Sequence, residues 1–216
     1  MSAAAPPDHF LVSDVQSFQR ATGASPTAIG ALERYRSYLE DWNQRVNLVG
    51  PGTLPAFWSR HAWDSAQILD LVPGAKVWAD LGSGAGLPGI VLAILGKHRP
   101  GFHVHLVESL AKRCRFLAEV TQALALPATV HNARAEHLDL SVDVVTARAC
   151  APLTRLFGYA QPYLDRGATG LFLKGREVDA DLADAGKSWS FDADIRPSLS
   201  DERGRIVLVK RLKRGR

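Results

Sequence analysis

Asp80 through Gly89 (DLGSGAGLPG) carry the strongest chemical signal in this chain of 216 residues. They follow a short apolar run rich in β-formers and open a helix-prone stretch. Glycines at a strand-to-helix turn accept positive φ and let the backbone approach a ligand, and open α/β sheets bind ligands beyond the carboxyl ends of their strands. A nucleotide-like cofactor is therefore expected here. Gly84, Gly86 and Gly89 also satisfy the dinucleotide spacing, so the glycines alone leave the cofactor class open. Two features favour S-adenosylmethionine over NAD: Asp80 just before the first glycine, and glycines at the alternate positions 82, 84 and 86. Adenosylmethionine has no pyrophosphate to cradle, but its ribose needs an acid at the end of the next strand. Glu108 lies 22 residues after Gly86, close to the spacing expected of a ribose acid. Asp80, Gly84 and Glu108 are candidate cofactor contacts on position alone.

The remaining reactive residue types are sparse. Cys114 and Cys150 are the only cysteines and have no metal-binding spacing, so neither a disulfide framework nor a zinc site is indicated. His103 and His105 share one strand face without further ligands, and no metal is expected. Lys112, Arg113 and Arg115 form a basic turn after Glu108, either a solvent face or an RNA contact. Residues 210–216 (KRLKRGR) hold five of the 26 basic residues, leaving 21 basic against 22 acidic elsewhere. The cationic excess is thus a terminal cluster able to track phosphates, with Lys210, Arg211, Lys213 and Arg214 as candidate RNA contacts alongside Lys112 and Arg113. Arg148, directly after a predicted strand, falls at the ligand edge of the sheet and is given a functional role, ahead of a structural ion pair. Arg60 and His61 could reach RNA or brace the N-terminal region.

Positioning these residues requires an alternating architecture. Strands are expected at 76–81, 104–108, 128–131, 142–146 and 169–173, with helices at 88–97 and after Ser109, whose stretch carries Leu110, Leu117, Val120 and Leu124 on one face. That alternation predicts a doubly wound, mostly parallel sheet, closed by an antiparallel hairpin of 191–195 and 205–212. Before Pro73-Gly74 the pattern is helical: a helix around 8–20, one begun by Ser25-Pro26 with Leu32, Tyr35, Leu39, Trp42 and Val46 on its apolar face, and one capped by Thr53. The division expected is a helical extension over 1–73 and a cofactor-binding core over 74–216. Hydrophobic residues make up 46% and charged residues 22%, values of an ordinary globular chain rather than a disordered one. The longest apolar run, 89–96, is too short to span a membrane, and the N-terminus lacks the basic region of a secretory signal. A cytoplasmic protein, monomeric and without an obligate protein partner, is expected.

An ordered set of segments resembles the bacterial ribosomal RNA small subunit methyltransferase G (glucose-inhibited division protein B) family. The set is Trp42-Asn43, Asn47-Leu48, Arg60-His61, Asp64-Ser65, DLGSGAGLPG, Leu106 to Ser109, Lys112-Arg113, Phe116-Leu117, Arg134 to Glu136, Asp143 to Ala149 and Leu173 to Gly175. The resemblance implies a class I methyltransferase, Rossmann-like, with seven strands. It also implies transfer of a methyl group from S-adenosylmethionine to N7 of one guanosine in 16S ribosomal RNA. By motif it adds Gly82, Leu87, Ala135, Glu136 and Arg148 to the cofactor contacts. The chain departs from the family in its alanine-rich start, in Cys150 where a larger apolar residue is common, and in its basic end.

What the sequence lacks agrees with that chemistry. Guanine N7 has an in-plane lone pair and needs no base to deprotonate it, so positioning suffices and no catalytic residue is assigned beyond a possible role for Arg148. The Asn/Asp-Pro-Pro-aromatic turn of exocyclic amine methylation is absent after the fourth strand, and Cys150 lacks the setting of a pyrimidine-attacking nucleophile. Two other functions fit parts of the sequence: an NAD(P)-dependent oxidoreductase, for which no hydride-transfer residues are found, and a noncatalytic RNA-binding ribosome assembly factor.

Overall fold

The computed structural model describes residues 12–215. Helix α1 (Val15–Thr22) is capped by Asp14, which accepts from the Ser17 amide while the Ser17 hydroxyl returns a bond to the cap. Of the helix expected around 8–20, residues 8–11 lie outside the described residues. Helix α2 (Pro26–Asn43) begins where Ser25 caps it with proline in the first turn. Val46 lies beyond its end. Thr53 caps no helix: Pro51–Ala56 is a 3-10 turn, followed by a π-helical turn, Trp58–Trp63, and the short α3 (Asp64–Ala66).

Seven strands then form one sheet: β1 (Val77–Leu81), β2 (His103–Glu108), β3 (Ala128–Asn132), β4 (Val144–Arg148), β5 (Thr169–Lys174), β6 (Trp189–Pro197) and β7 (Arg205–Arg214). Their spatial order is β3-β2-β1-β4-β5-β7-β6. The pairs among β1 to β5 are parallel, and β7 runs antiparallel between β5 and β6. Helices α4 (Gly89–Gly96), α5 (Ala111–Ala123), α6 (Leu153–Leu164) and α7 (Val178–Gly186) make the connections, while β3 reaches β4 through a loop with a single 3-10 turn at Ala135–His137. The helix after β2 departs from expectation at its start: Ser109 makes no cap, and Leu110 is exposed rather than packed.

Both faces of the central strands are covered, and their residues alternate between two cores. Trp78, Leu106, Val144 and Leu171 face the side packed by α2, α4 and α5, whereas Ala79, Val107, Val145 and Phe172 face α6. Helix α4 is buried nearly all round, which explains its unbroken apolar sequence. The first core also takes in Leu32, Tyr35, Phe57 and Trp58, so the N-terminal helical segment shares a core with the sheet. Trp42 stacks edge-on against Phe116 of α5 at 5.7 Å.

Candidate functional site

Five parallel strands end on the same edge, and the loops leaving them enclose a groove. The turn after β1 has positive φ at Gly82 (67°), Gly84 (56°) and Gly86 (84°). At Gly82 a Cβ would also strike the Cys150 sulfur in the loop after β4, so glycine is required twice over. Ala149 adopts φ 49° beside it, a left-handed conformation that an alanine disfavours. The loops after β1 and β4 are thereby pressed together at the groove floor.

The two acids do different work. Asp80 is fully buried beneath the loop, where its Oδ2 accepts from Ser83 Oγ (2.6 Å) and the Gly89 amide (3.0 Å). Its Oδ1 is buried without a partner, and burial pushes its pKa up to about 6. A Cβ at Gly89 would collide with the same carboxylate and with Leu106. Asp80, expected as a cofactor contact, therefore braces the loop from behind. Glu108 instead lines the groove. Its Oε2 accepts from the Gly84 amide (3.0 Å) and its Oε1 from the Leu110 amide (2.8 Å), with Arg113 Nη1 at 3.7 Å. Arg113 thus turns inward toward this acid, while Lys112 is exposed.

Three cavities make up the groove. The first, about 440 Å³, lies over Glu108, Leu110, Ala135, Glu136 and Cys150. The second, about 310 Å³, lies over Gly82, Gly84 and Leu87 and shares Gly82, Arg113 and Ala149 with the first. The third, about 580 Å³, joins the second at Thr53, His61, Arg148 and Ala149 and opens between β5 and the turn that joins β6 to β7. Every sequence-expected cofactor contact except Asp80 thus lines one of these cavities.

Arg148 is the last residue of β4 rather than a residue beyond it, because the strand runs two residues later than expected. Its guanidinium bonds Asp64 Oδ2 (3.0 Å), the Arg60 carbonyl (2.8 Å) and His61 Nδ1 (3.0 Å). An arginine only donates, so Nδ1 of His61 is the acceptor, and Nε2–H donates to Thr53 Oγ1 (2.9 Å), whose hydroxyl donates to the Gly50 carbonyl. Burial, then the neighbouring Arg148 and Arg60 charges, push the His61 pKa down to about 3. His61 is thus held as a neutral brace between Arg148 and Thr53. Burial also raises the Cys150 thiol pKa, with Asp80 and Glu108 adding to the effect, so this sulfur is no ready nucleophile.

Several supporting residues gave no sign of their roles in the sequence. Tyr35, fully buried on α2, donates to the Ala85 carbonyl at 2.6 Å and ties the N-terminal segment to the glycine turn. Asn43 Oδ1 accepts from the amides of Leu48 and Val49, shaping the groove wall. Lys174 bonds Asp181 (2.6 Å) and the Ala151 carbonyl, holding the loop after β4. Asn43 and Lys174 stand in family-like segments and Tyr35 on an apolar helix face, which are the only signals that could have pointed to them. The basic terminal cluster lies elsewhere. Lys210 to Arg214 are strand residues of β7, placed beyond the amino end of β5; Arg211 to Arg214 pair with Asp192 to Trp189, while Lys210 falls at a register shift between Asp192 and Ala193, and Arg211 bonds Asp192 and Arg214 lies over Trp189. Arg216 lies outside the described residues. His103 and His105 are joined by His131 on β3, whose Nε2 lies 2.9 Å from His105 Nδ1. Among the described residues no group of three or more His, Cys, Asp or Glu could hold a metal ion, and no helix is long and apolar enough to cross a membrane.

The model of the family described as rRNA small subunit methyltransferase G matches residues 28–205. A protein named ribosomal RNA small subunit methyltransferase G from Caulobacter sp. (strain K31) is 61% identical, covering 93% of this chain and 90% of its own. One of the same name from Caulobacter vibrioides (strain NA1000 / CB15N) is 58% identical and covers 95% of both chains. Among solved structures, a putative O-methyltransferase from Klebsiella pneumoniae superposes with a TM-score of 0.57 at 12% identity, over 90% of this chain and 94% of that one, a likeness of fold.

Proposed function

The chain belongs to the rRNA small subunit methyltransferase G family, and from that premise we propose that it transfers the methyl group of S-adenosylmethionine to N7 of a guanosine in 16S ribosomal RNA. The observation that carries the proposal is the continuous groove at the carboxyl edge, with a glycine turn and a buried acid at one end and a cationic cavity at the other.

The residues fit the cofactor. The first two cavities each fall within the ~300–1,000 Å³ of small-molecule sites. Glu108 is fixed by two backbone amides, so its remaining lone pairs are set for ribose hydroxyls. Leu110 offers an exposed apolar side chain, and Ala135 and Glu136 complete an adenine-sized slot. Gly82, Gly84 and Leu87 form the floor under the methionine portion. When bound, the sulfonium supplies an electrophilic methyl: the N7 lone pair forms the new bond, the S–CH3 pair returns to sulfur, and the positive charge passes to the base. No proton leaves, which matches a groove whose one histidine is held neutral and hydrogen-bonded on both nitrogens. Arg148 acts through His61 and Asp64, fixing the wall where the two reactants meet.

The protein is taken to act as a cytoplasmic monomer. In support, the large apolar side chains exposed among the described residues are only Leu110 and Ile195.

The deciding experiment offers labelled S-adenosylmethionine with unmodified 16S RNA and with small subunits, followed by nucleoside analysis. Labelled 7-methylguanosine is the expected product. A different labelled nucleoside would overturn the choice of N7, and cofactor binding without transfer would overturn the acceptor.

A further inference from the structure

Resting on that reading, we propose that the third cavity, between the ends of β4 and β5 and the Ser198–Gly204 turn, receives the acceptor nucleobase, with Arg60 and Arg203 gripping the flanking RNA phosphates.

The cavity adjoins the cofactor groove at Arg148 and Ala149, where the methyl donor would end. Five of its lining residues are cationic, but three are already committed. Arg148 is paired with Asp64, Lys174 with Asp181, and Arg205 Nη1 is held by the carbonyls of Glu202 and Gly204. The other two sit at the rim. Arg60 is exposed and its guanidinium has no side-chain partner among the described residues; Arg203 is 69% exposed, with only a 3.6 Å contact to Asp201. Two such guanidiniums lining one wide, polar cavity suit a polyanion that splays out a base, since single-stranded RNA is read by unstacked bases held beside contacted phosphates.

The outer wall is also prebuilt. Gln67 Oε1 accepts from the Leu199 amide (2.7 Å), and its Nε2 donates to Ser198 Oγ (3.0 Å) and to the Asp64 carbonyl (3.0 Å). Ser200 Oγ donates to Asp64 Oδ1 (2.6 Å), and Trp63 Nε1 to the Leu199 carbonyl (2.9 Å). A hairpin turn pinned this densely holds its shape before any ligand arrives. Such rigidity is what a reaction run by positioning needs.

The test compares two double variants that remove equal charge, Arg60→Ser with Arg203→Ser, and Arg211→Thr with Lys213→Thr at the far end of β7. Each is assayed for melting temperature, cofactor affinity, RNA affinity across a salt series and methyl transfer. For the rim pair we expect unchanged cofactor affinity, at least a tenfold loss in kcat/KM for RNA, and a salt slope shallower by about 1.5, at roughly 0.7–0.9 per phosphate contact. The far pair should match the parent protein. Parental RNA affinity and salt slope in a folded rim variant would overturn the proposal, as would an equal loss in both. Should the parent bind RNA without methylating it while the rim pair still loses affinity, the activity fails and the RNA contacts stand.

Discussion

At the carboxyl ends of the parallel strands the chain concentrates its unusual conformations and buried charges. Gly82 and Ala149 adopt positive φ in adjoining loops, Asp80 and Glu108 are buried acids, and Arg148, His61 and Asp64 interlock. At the amino ends the same residue types occur without those commitments. Gly167, before β5, has φ 99° but open space on the side where a Cβ would stand, and Arg211 forms an ion pair whose partners are both largely exposed. The difference teaches that neither a glycine nor a cation marks function here; what marks it is how many neighbours depend on it.

Substitution of the two glycines exposes this contrast most sharply. Gly82→Asp should reduce cofactor affinity more than a hundredfold, because its side chain must displace Cys150 and enter the groove. Gly167→Ala should leave affinity unchanged and cost only about 1 kcal/mol of backbone strain. Calorimetric titration with thermal melting measures both, and comparable losses of affinity would show that the glycine turn after β1 has no special part in cofactor binding.

Glu108→Gln tests the buried acid. It keeps an acceptor for the Gly84 or Leu110 amide but loses the charge that the proposed site offers to the ribose hydroxyls, so cofactor affinity should fall ten- to a hundredfold while the fold persists. An unchanged dissociation constant would remove Glu108 from the cofactor site.

Next in size is a pH effect at His61. Its folded pKa of about 3 lies below the ordinary 6.5, so the folded state requires the neutral ring. The stability this contributes is complete above pH 6.5 and is lost as pH falls toward 3, on the order of a few kcal/mol in all. Asp80 acts in the opposite sense: with a folded pKa raised from 3.8 to about 6, it gains stability as pH falls from 6 to 4. Melting curves of His61→Gln should therefore lose less stability than the parent between pH 6.5 and 4. Identical pH profiles would refute the neutral-brace assignment.

Tyr35→Phe should cost about 1–2 kcal/mol, since the Ala85 carbonyl loses its donor, and should weaken cofactor binding a few-fold through the glycine turn. Arg211→Ala should change neither melting nor methyl transfer measurably, as expected of an exposed pair.

Local signals carried much of this architecture. Strands β1, β2 and β5 fell within a residue or so of their expected limits, because the middle of a strand covered on both faces is built mainly from buried apolar residues, such as Val104, Leu106 and Val107 or Leu171, Phe172 and Leu173. The glycine turn was legible because positive φ restricts residue type. Ala149 gave no such sign: its left-handed backbone is imposed by neighbours, and alanine is uninformative about φ. The terminal cluster shows a different limit. Its charge was plain, but the direction of β7 places it away from the groove, a matter of strand pairing that composition does not record.

The sequence by itself determined the doubly wound order of elements, the cofactor turn and the acid at the end of β2, since each is written in residues close along the chain. The tertiary structure alone decided that Asp80 supports the turn from beneath, that Arg148 locks onto Asp64 and His61 from 84 and 87 residues away, and that the turn after β6 is fastened by Gln67 across more than 130 residues. Those assignments depend on burial and on which polar groups find partners, and both exist only once distant segments are packed together.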